Sequence, residues 1–376
     1  MPKTANYDVV VVGAGVAGLS IAALLSKTQR VVILERESAP MYHSTSRSAA
    51  LLIENYGGDV MEQFIRGSRP FLENPPTGFC DSPILKPRGV LNLVTHDNAA
   101  DFDNMSSSYQ SIDVLTPEDL REWYPYVQSE KFVGAVLEKT AMDLDVDVLC
   151  QAYLRQCKSN GGELVCNAGV ETISKSGDVW QVKTTDGVFK APLMVNAAGA
   201  WADELAKLAG AKPLDLIPHR RSAAIVEFKT KLDSSGPMLA DSAETWYAKP
   251  EGDWLMVSLA DETPVPPCDI WPEDIDIATA IDNFQQAVDV GEVLRLVQTW
   301  AGLRTFAPDR HPVVGFDASV DGFFWLAGQG GSGIHAGPAL AESAARLITG
   351  ASPPDWFVIS DAAIESLSPK RFSTIN

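Results

Sequence analysis

The chain punctuates long mixed stretches with short runs that are apolar throughout. Val9-Val10-Val11-Val12, entered from Tyr7-Asp8, reads as a strand buried on both faces of a parallel sheet. It breaks into Gly13-Ala14-Gly15-Val16-Ala17-Gly18 and resumes as an apolar helix from Leu19 to Lys27. A second strand runs from Arg30 to Leu34 and closes with Glu35. Two later runs repeat this layout. Leu193-Met194-Val195-Asn196 ends in the small residues Ala197 to Trp201 and a helix to Gly210; Phe323 to Ala327 ends in Gly328-Gln329-Gly330-Gly331-Ser332-Gly333 and a helix from Pro338 to Ile348.

Between these runs the pattern changes. Asp143 to Asp147 is a capping cluster for a helix from Val148 to Ser159, stopped by Asn160-Gly161-Gly162. Short strands follow at 164–166 and 170–173, then a hairpin of Trp180 to Thr184 and Val188 to Lys190 around Asp186-Gly187. Tyr42 to Ala50 is a polar, small-residue stretch expected to lead into a helix. From Asn74 the chain is turn-rich, with a strand at Val90 to Thr95 and a short helix opened by Thr116 as cap and Pro117 at its first position. Residues 213 to about 310 alternate like an antiparallel sheet.

The first break is G-x-G-x-x-G between a strand and a helix. Gly13 permits the tight turn, Gly15 the approach of a pyrophosphate, and Gly18 close helix packing. Glu35 stands about 20 residues on, where an acid grips a ribose hydroxyl. A lone triplet would read as a plain turn; strand, helix and acid together make it a dinucleotide site. The hydroxyls of Ser44, Thr45 and Ser48 beside Arg47 read either as a solvated loop or as a second clamp on phosphate and flavin. An NAD enzyme has no need of such a clamp, so the segment points to FAD. The turn at Gly328 to Gly333 then aims a helix N-terminus at the far end of a long cofactor.

Composition narrows the partners. A hydrophobic content of 45% and a charged content of 21% describe an ordinary globular protein, long enough for two domains. The net charge of −19 would repel nucleic acid and anionic membranes. No stretch reads as a membrane span, and the location expected is the cytoplasm. Cys80, Cys150, Cys157, Cys166 and Cys268 show no C-x-x-C spacing and read as free buried thiols. No metal site is expected.

The glycine motif, Tyr42 to Ala50, Asn196 to Trp201, Trp300 to Phe306 and Gln329 to Ile334 fall in an order that resembles the D-amino-acid oxidase (glycine/sarcosine oxidase-like) flavoproteins. Within them the chain looks most like the bacterial D-arginine dehydrogenases, which Asn74 to Cys80, Arg220-Arg221-Ser222 and Leu367 to Arg371 also resemble. The resemblance implies an α/β fold: a Rossmann-like FAD-binding domain of the glutathione-reductase type, with an α+β substrate domain on a mostly antiparallel sheet. The expected limits are residues 1–80, 143–212 and 310–376 for the first and 81–142 and 213–309 for the second.

The resemblance also implies site residues. Beyond the glycine motif, Glu35, Arg36, Ser44, Thr45, Arg47, Ser48, Ala49, Ala50, Val170, Ala198, Gly199, Trp201, Gly302, Gly328, Gly330, Gly331, Ser332, Gly333, Ile334 and His335 would line the FAD. Arg304, Arg221 and Tyr247 would hold a substrate carboxylate, Tyr56 would line the pocket, and the Gly331 carbonyl would accept from the amine. One or two arginines in bidentate contact with the carboxylate are what a zwitterion needs to fix the face of Cα it presents. Arg220 could exchange roles with Arg221, and structural ion pairing is the plainer reading for either. Where arginine-preferring members carry glutamate, histidine and threonine, this chain has Val90, Leu51 and Ile53. An unpaired guanidinium is costly to bury among these, so neutral and apolar D-amino acids are expected instead.

The implied reaction is oxidative deamination: hydride transfer to flavin N5, then hydrolysis of an imino acid to a 2-oxo acid and ammonia. No residue stands out as the base. FAD is expected to be noncovalent, because relatives with cysteine-linked flavin carry that cysteine late in the chain and none follows Cys268. Oxidation of sarcosine, glycine, cyclic imino acids or a 2-hydroxy acid is the alternative. Quinone, an electron-transfer protein and oxygen all stand as electron acceptors.

Overall fold

Period-2 alternation decides which way the central strands face. In the computed structural model, which describes residues 3–372, Val9, Val11 and Ile33 join one apolar cluster, while Val10, Val12, Val32 and Leu34 join another on the opposite face. Both faces are covered, which is why these strands are apolar throughout. The sheet has six strands in the order Glu163–Val165, Val31–Leu34, Val9–Val12, Leu193–Asn196, Phe323–Ala327 and Val313–Phe316. All neighbours run parallel except the last pair. Helices Val16–Leu25, Val146–Ser159 and Gly337–Thr349 pack with the first cluster. The hairpin strands Val179–Thr184 and Gly187–Ala191, with Lys3–Asn6 and Val170–Ser176, form a four-stranded sheet beside the second.

A larger, nine-stranded sheet gathers the two stretches that lack the glycine motifs. Its order is Thr263–Pro264, Ile217–Phe228, Trp254–Ser258, Tyr247–Glu251, Met238–Asp241, Val90–Thr95, Phe132–Glu138 and Ile112–Leu115, with Val293–Phe306 also paired to Ile217–Phe228. Its pairings are antiparallel except that of Met238–Asp241 with Val90–Thr95. Phe284, Ile277 and Ala280 of helix Asp274–Ala287 fill the cluster under this sheet.

Several local expectations need correction. The first helix begins at Val16, one turn earlier than its apolar run suggests, because Gly15 is already its N-cap. Tyr42 to Ala50 does not lead into a helix. It forms a single 3₁₀ turn, Ser44–Arg47, which ends at the extended Ser48, and Ala50 then takes a left-handed φ of 51° before the two-residue strand Leu51–Leu52. The next helix is Gly58–Glu73, entered through Gly57 at φ 82°. Of the five cysteines, all free, Cys150 and Cys157 are buried, while Cys80, Cys166 and Cys268 are only partly so.

Candidate functional site

The glycine turn is tight for steric reasons. Gly13 has φ 104°, and a Cβ there would overlap the carbonyl of Ala197; a Cβ on Gly18 would overlap the carbonyl of Gly13. Gly18 thus acts through helix packing and lines no cavity. The helix it belongs to offers an N-terminus with no acidic residue in its first turn and a glycine as N-cap, which suits an anion. Glu35 is nearly buried and already engaged: Ala14 N–H donates to Oε2 at 2.8 Å and Glu37 N–H to Oε1 at 2.9 Å. Its remaining lone pairs face a cavity lined also by Gly13, Ala14, Gly15, Arg36, Ser44, Thr45, Val170, Ala198, Gly199 and Trp201.

A second cavity shares Gly15, Ser44, Thr45, Ala197 and Gly199 with the first. It continues past Val16, Ala17, Arg47, Ser48, Ala49, Gly302, Gly328, Gly330, Gly331, Gly333 and Ile334 to Arg221, Tyr247 and Arg304. The trough therefore runs from the ribose acid to the two arginines, the shape of an extended dinucleotide. In the adjoining substrate-side cavity His335 adds an orphaned polar atom. Ile53 N–H donates to Nδ1 at 3.5 Å, which leaves the proton on Nε2, buried without a hydrogen-bond partner among the described residues. Burial, and then the nearby charge of Arg304, push this imidazole down to about 3, so it is a neutral donor. Glycine-rich walls and an unpaired donor fit a flat ligand rich in carbonyl acceptors, as a flavin is.

Arg221 and Arg304 reach the trough from paired strands. Arg221 stands opposite Gly302 in the ladder, so Arg304, two residues on, shares its face. The ambiguity between the neighbouring arginines is resolved. Arg220 meets Asp261, Glu273 and Asp276, with contacts of 3.4, 2.8 and 2.7 Å. Arg221 points to the trough instead. Its Nε donates to the Asp261 carbonyl, Nη2 meets Glu262 at 3.2 Å, and the guanidinium lies 6.0 Å from the Tyr247 ring centre. Arg304 Nη1 donates to the Tyr56 hydroxyl at 3.3 Å. Although burial opposes it, the two arginines pull the Tyr247 phenol below its usual range.

The substrate-side cavity is lined by Leu51, Ile53, Tyr56, Met238 and Ala240 as well as Ala50, Tyr247, Gly331 and His335. Val90 does not line it. Its side chain is buried behind the wall, in a cluster with Leu51 and Met238. Ser332 likewise lies buried off the trough, its N–H donating to the Gln329 carbonyl. Sequence reasoning missed Asp241 and Glu244, which line the same cavity. Glu244 follows a turn with no motif, and its left-handed φ of 55° was not visible in the sequence. Among the described residues no group of three His, Cys, Asp or Glu side chains is placed to hold a metal, and no helix is long and apolar enough to cross a membrane.

A dinucleotide turn and a trough leading to arginines on paired strands define an FAD-linked oxidoreductase. The model of the DAO family, FAD dependent oxidoreductase, matches residues 8–347, and the chain belongs to that family, with FAD as its cofactor. Mouse mitochondrial sarcosine dehydrogenase is 25% identical over 382 residues, covering 94% of this chain but 40% of that protein. The chain thus spans about two fifths of the length of such curated relatives. L-proline dehydrogenase from P. horikoshii shares the fold with a TM-score of 0.82 at 22% identity, over 99% of both chains. Glycine oxidase from Geobacillus kaustophilus also gives 0.82, at 23% identity, over 97% of this chain and 99% of its own.

Proposed function

We propose that the chain oxidises D-amino acids with neutral, apolar side chains, in preference to D-arginine, yielding an imino acid that hydrolyses to a 2-oxo acid and ammonia. The observation that carries this reading is Arg304. It lines the cavity beside a second arginine, has the Tyr56 hydroxyl as its contact, and has no carboxylate in ion-pair range among the described residues. A half-buried guanidinium without a protein anion suits a ligand that brings its own carboxylate.

In this reading Arg304, Arg221 and Tyr247 fix the carboxylate and thereby the face of Cα turned to the cofactor. The Gly331 carbonyl accepts from the substrate amine, which loses a proton to solvent before the α-hydrogen can leave. When bound, FAD supplies the two-electron acceptor that takes this hydrogen as hydride. Residues 1–80, 143–212 and 310–376 hold the cofactor noncovalently, and 81–142 and 213–309 form the substrate domain; the ends of this division lie outside the described residues. Leu51, Ile53, Met238 and Ala240 favour an apolar side chain, while Asp241 and Glu244 disfavour an anionic one.

The test is anaerobic bleaching of the flavin band by D-leucine, L-leucine, D-arginine and D-glutamate. D-leucine should bleach it fastest and L-leucine should not. A higher kcat/KM for D-arginine would refute the side-chain preference and make Glu244 and Asp241 its acidic partners. Sarcosine, glycine and cyclic imino acids form a second reading, supported by what the sarcosine, proline and glycine enzymes named above act on. Sarcosine and L-proline belong in the same panel.

A further inference from the structure

Glu138 is the most deeply buried carboxylate near the substrate cavity, with 1% of its surface exposed, and it does not line that cavity. It ends the strand Phe132–Glu138 and stands opposite Val90 in the ladder. Its partners all come from one two-residue segment. Glu54 N–H donates to Oε1 at 2.7 Å, Asn55 N–H to Oε2 at 3.4 Å, and Asn55 Nδ2 to Oε2 at 2.7 Å. The arginines nearby are committed elsewhere: Arg66 and Arg69 both pair with the Glu54 carboxylate.

The next residue is Tyr56, whose hydroxyl receives Arg304 Nη1. On its other side Gly57 turns at φ 82°, where a Cβ would press on Met61 at 2.9 Å. Asn55 is pinned further by Gln110, whose N–H donates to Oδ1 at 2.9 Å and whose carbonyl accepts from Nδ2 at 3.0 Å. Upstream, Ile53 N–H is tied to His335. Tyr56 is thus suspended between fixed points, one of them a carboxyl group buried from water and met by three donors. Removing that carboxylate would strand three donors at residues 54 and 55. We infer that Glu138 is a positioning residue that sets Tyr56, and through it the guanidinium of Arg304, for the ligand carboxylate. The inference does not depend on which amine or amino acid is the substrate.

The test compares FAD-loaded wild type, Glu138→Gln, Tyr56→Phe and the double variant. Hydrogen exchange should rise at least tenfold across 53–57 in Glu138→Gln, with peptides over 13–18 and 328–335 unchanged. The dissociation constant of anthranilate, read from the flavin difference spectrum, should rise about tenfold in Glu138→Gln and no further when Tyr56→Phe is added. Effects that add in the double variant, or unchanged exchange at 53–57, would overturn the inference. If anthranilate fails to bind wild type, the carboxylate-site reading above falls, and the exchange arm still decides the role of Glu138. Should Glu138→Gln not fold, Asn55→Ala removes one of the three donors and is read the same way.

Discussion

Arg304 and Tyr56 meet at 3.3 Å in a cavity where, among the described residues, no carboxylate pairs with the guanidinium. The pair is a cation waiting for an anion, and it gives the first prediction. Arg304→Met should keep its flavin and fold but lose about 100-fold or more in kcat/KM, as expected for truncating one side of a buried, hydrogen-bonded charge pair. Steady-state kinetics and the flavin-to-protein absorbance ratio check both halves.

Arg220 and Arg221 should separate cleanly. Arg220→Met strands Asp261 and Asp276 and should lower stability by about 3 kcal/mol, read from denaturant unfolding. Arg221→Met should unfold near the wild-type midpoint and lose substrate affinity. Equal stability losses in the two would contradict the assignment.

Gly331 is packed against the arginine–tyrosine pair. A Cβ there would come to 2.8 Å from the Tyr56 hydroxyl and 3.0 Å from Arg304 Nη1. Gly331→Ala should therefore raise KM while FAD content stays full. Gly13→Ala, overlapping the Ala197 carbonyl at φ 104°, should instead purify without flavin.

His335 gives a pH signature. Its folded value is depressed from 6.5 to about 3, so the unfolded chain takes up this proton first as pH falls. Its contribution is complete above about pH 6.5 and is lost toward pH 3, at a limiting slope of about 1.4 kcal/mol per pH unit. The stability gap between wild type and His335→Gln should narrow from pH 7 to pH 5. A gap that stays constant would show that the imidazole is not held neutral by the fold.

The cofactor half of the molecule was legible because its signals are local. Gly13 to Gly18 couple a strand end to a helix start within a few residues, Glu35 directly follows a strand, and the glycines at 328–333 directly follow Phe323–Ala327. Capping was equally readable, since Thr116 and Asp119 form the reciprocal box and Asp145 accepts from Val148 N–H. Other parts were harder. Helix Gly58–Glu73 carries a good apolar stripe in Met61, Phe64, Ile65 and Leu72, but it opens on two glycines and contains Pro70. Val90 was misplaced because a strand position fixes a face, not the depth of what lies over it. Glu138 gave no sign at all: its partners stand more than eighty residues away.

The strand pairing that carries the arginines divides the labour of the cavity. Ile217–Phe228 and Val293–Phe306 are locked along most of their length, and this ladder sets the spacing between Arg221 and Arg304. The rest of the cavity lining mixes short strand ends such as Leu51 and Ala240 with turn residues, Ala50, Glu244 and Ala260 all at left-handed φ. If the proposed function holds, substitutions at Leu51, Ile53, Ala240 or Glu244 trade one substrate side chain for another while the reacting carbon keeps its address. Within this scaffold a change of diet requires no change of grip.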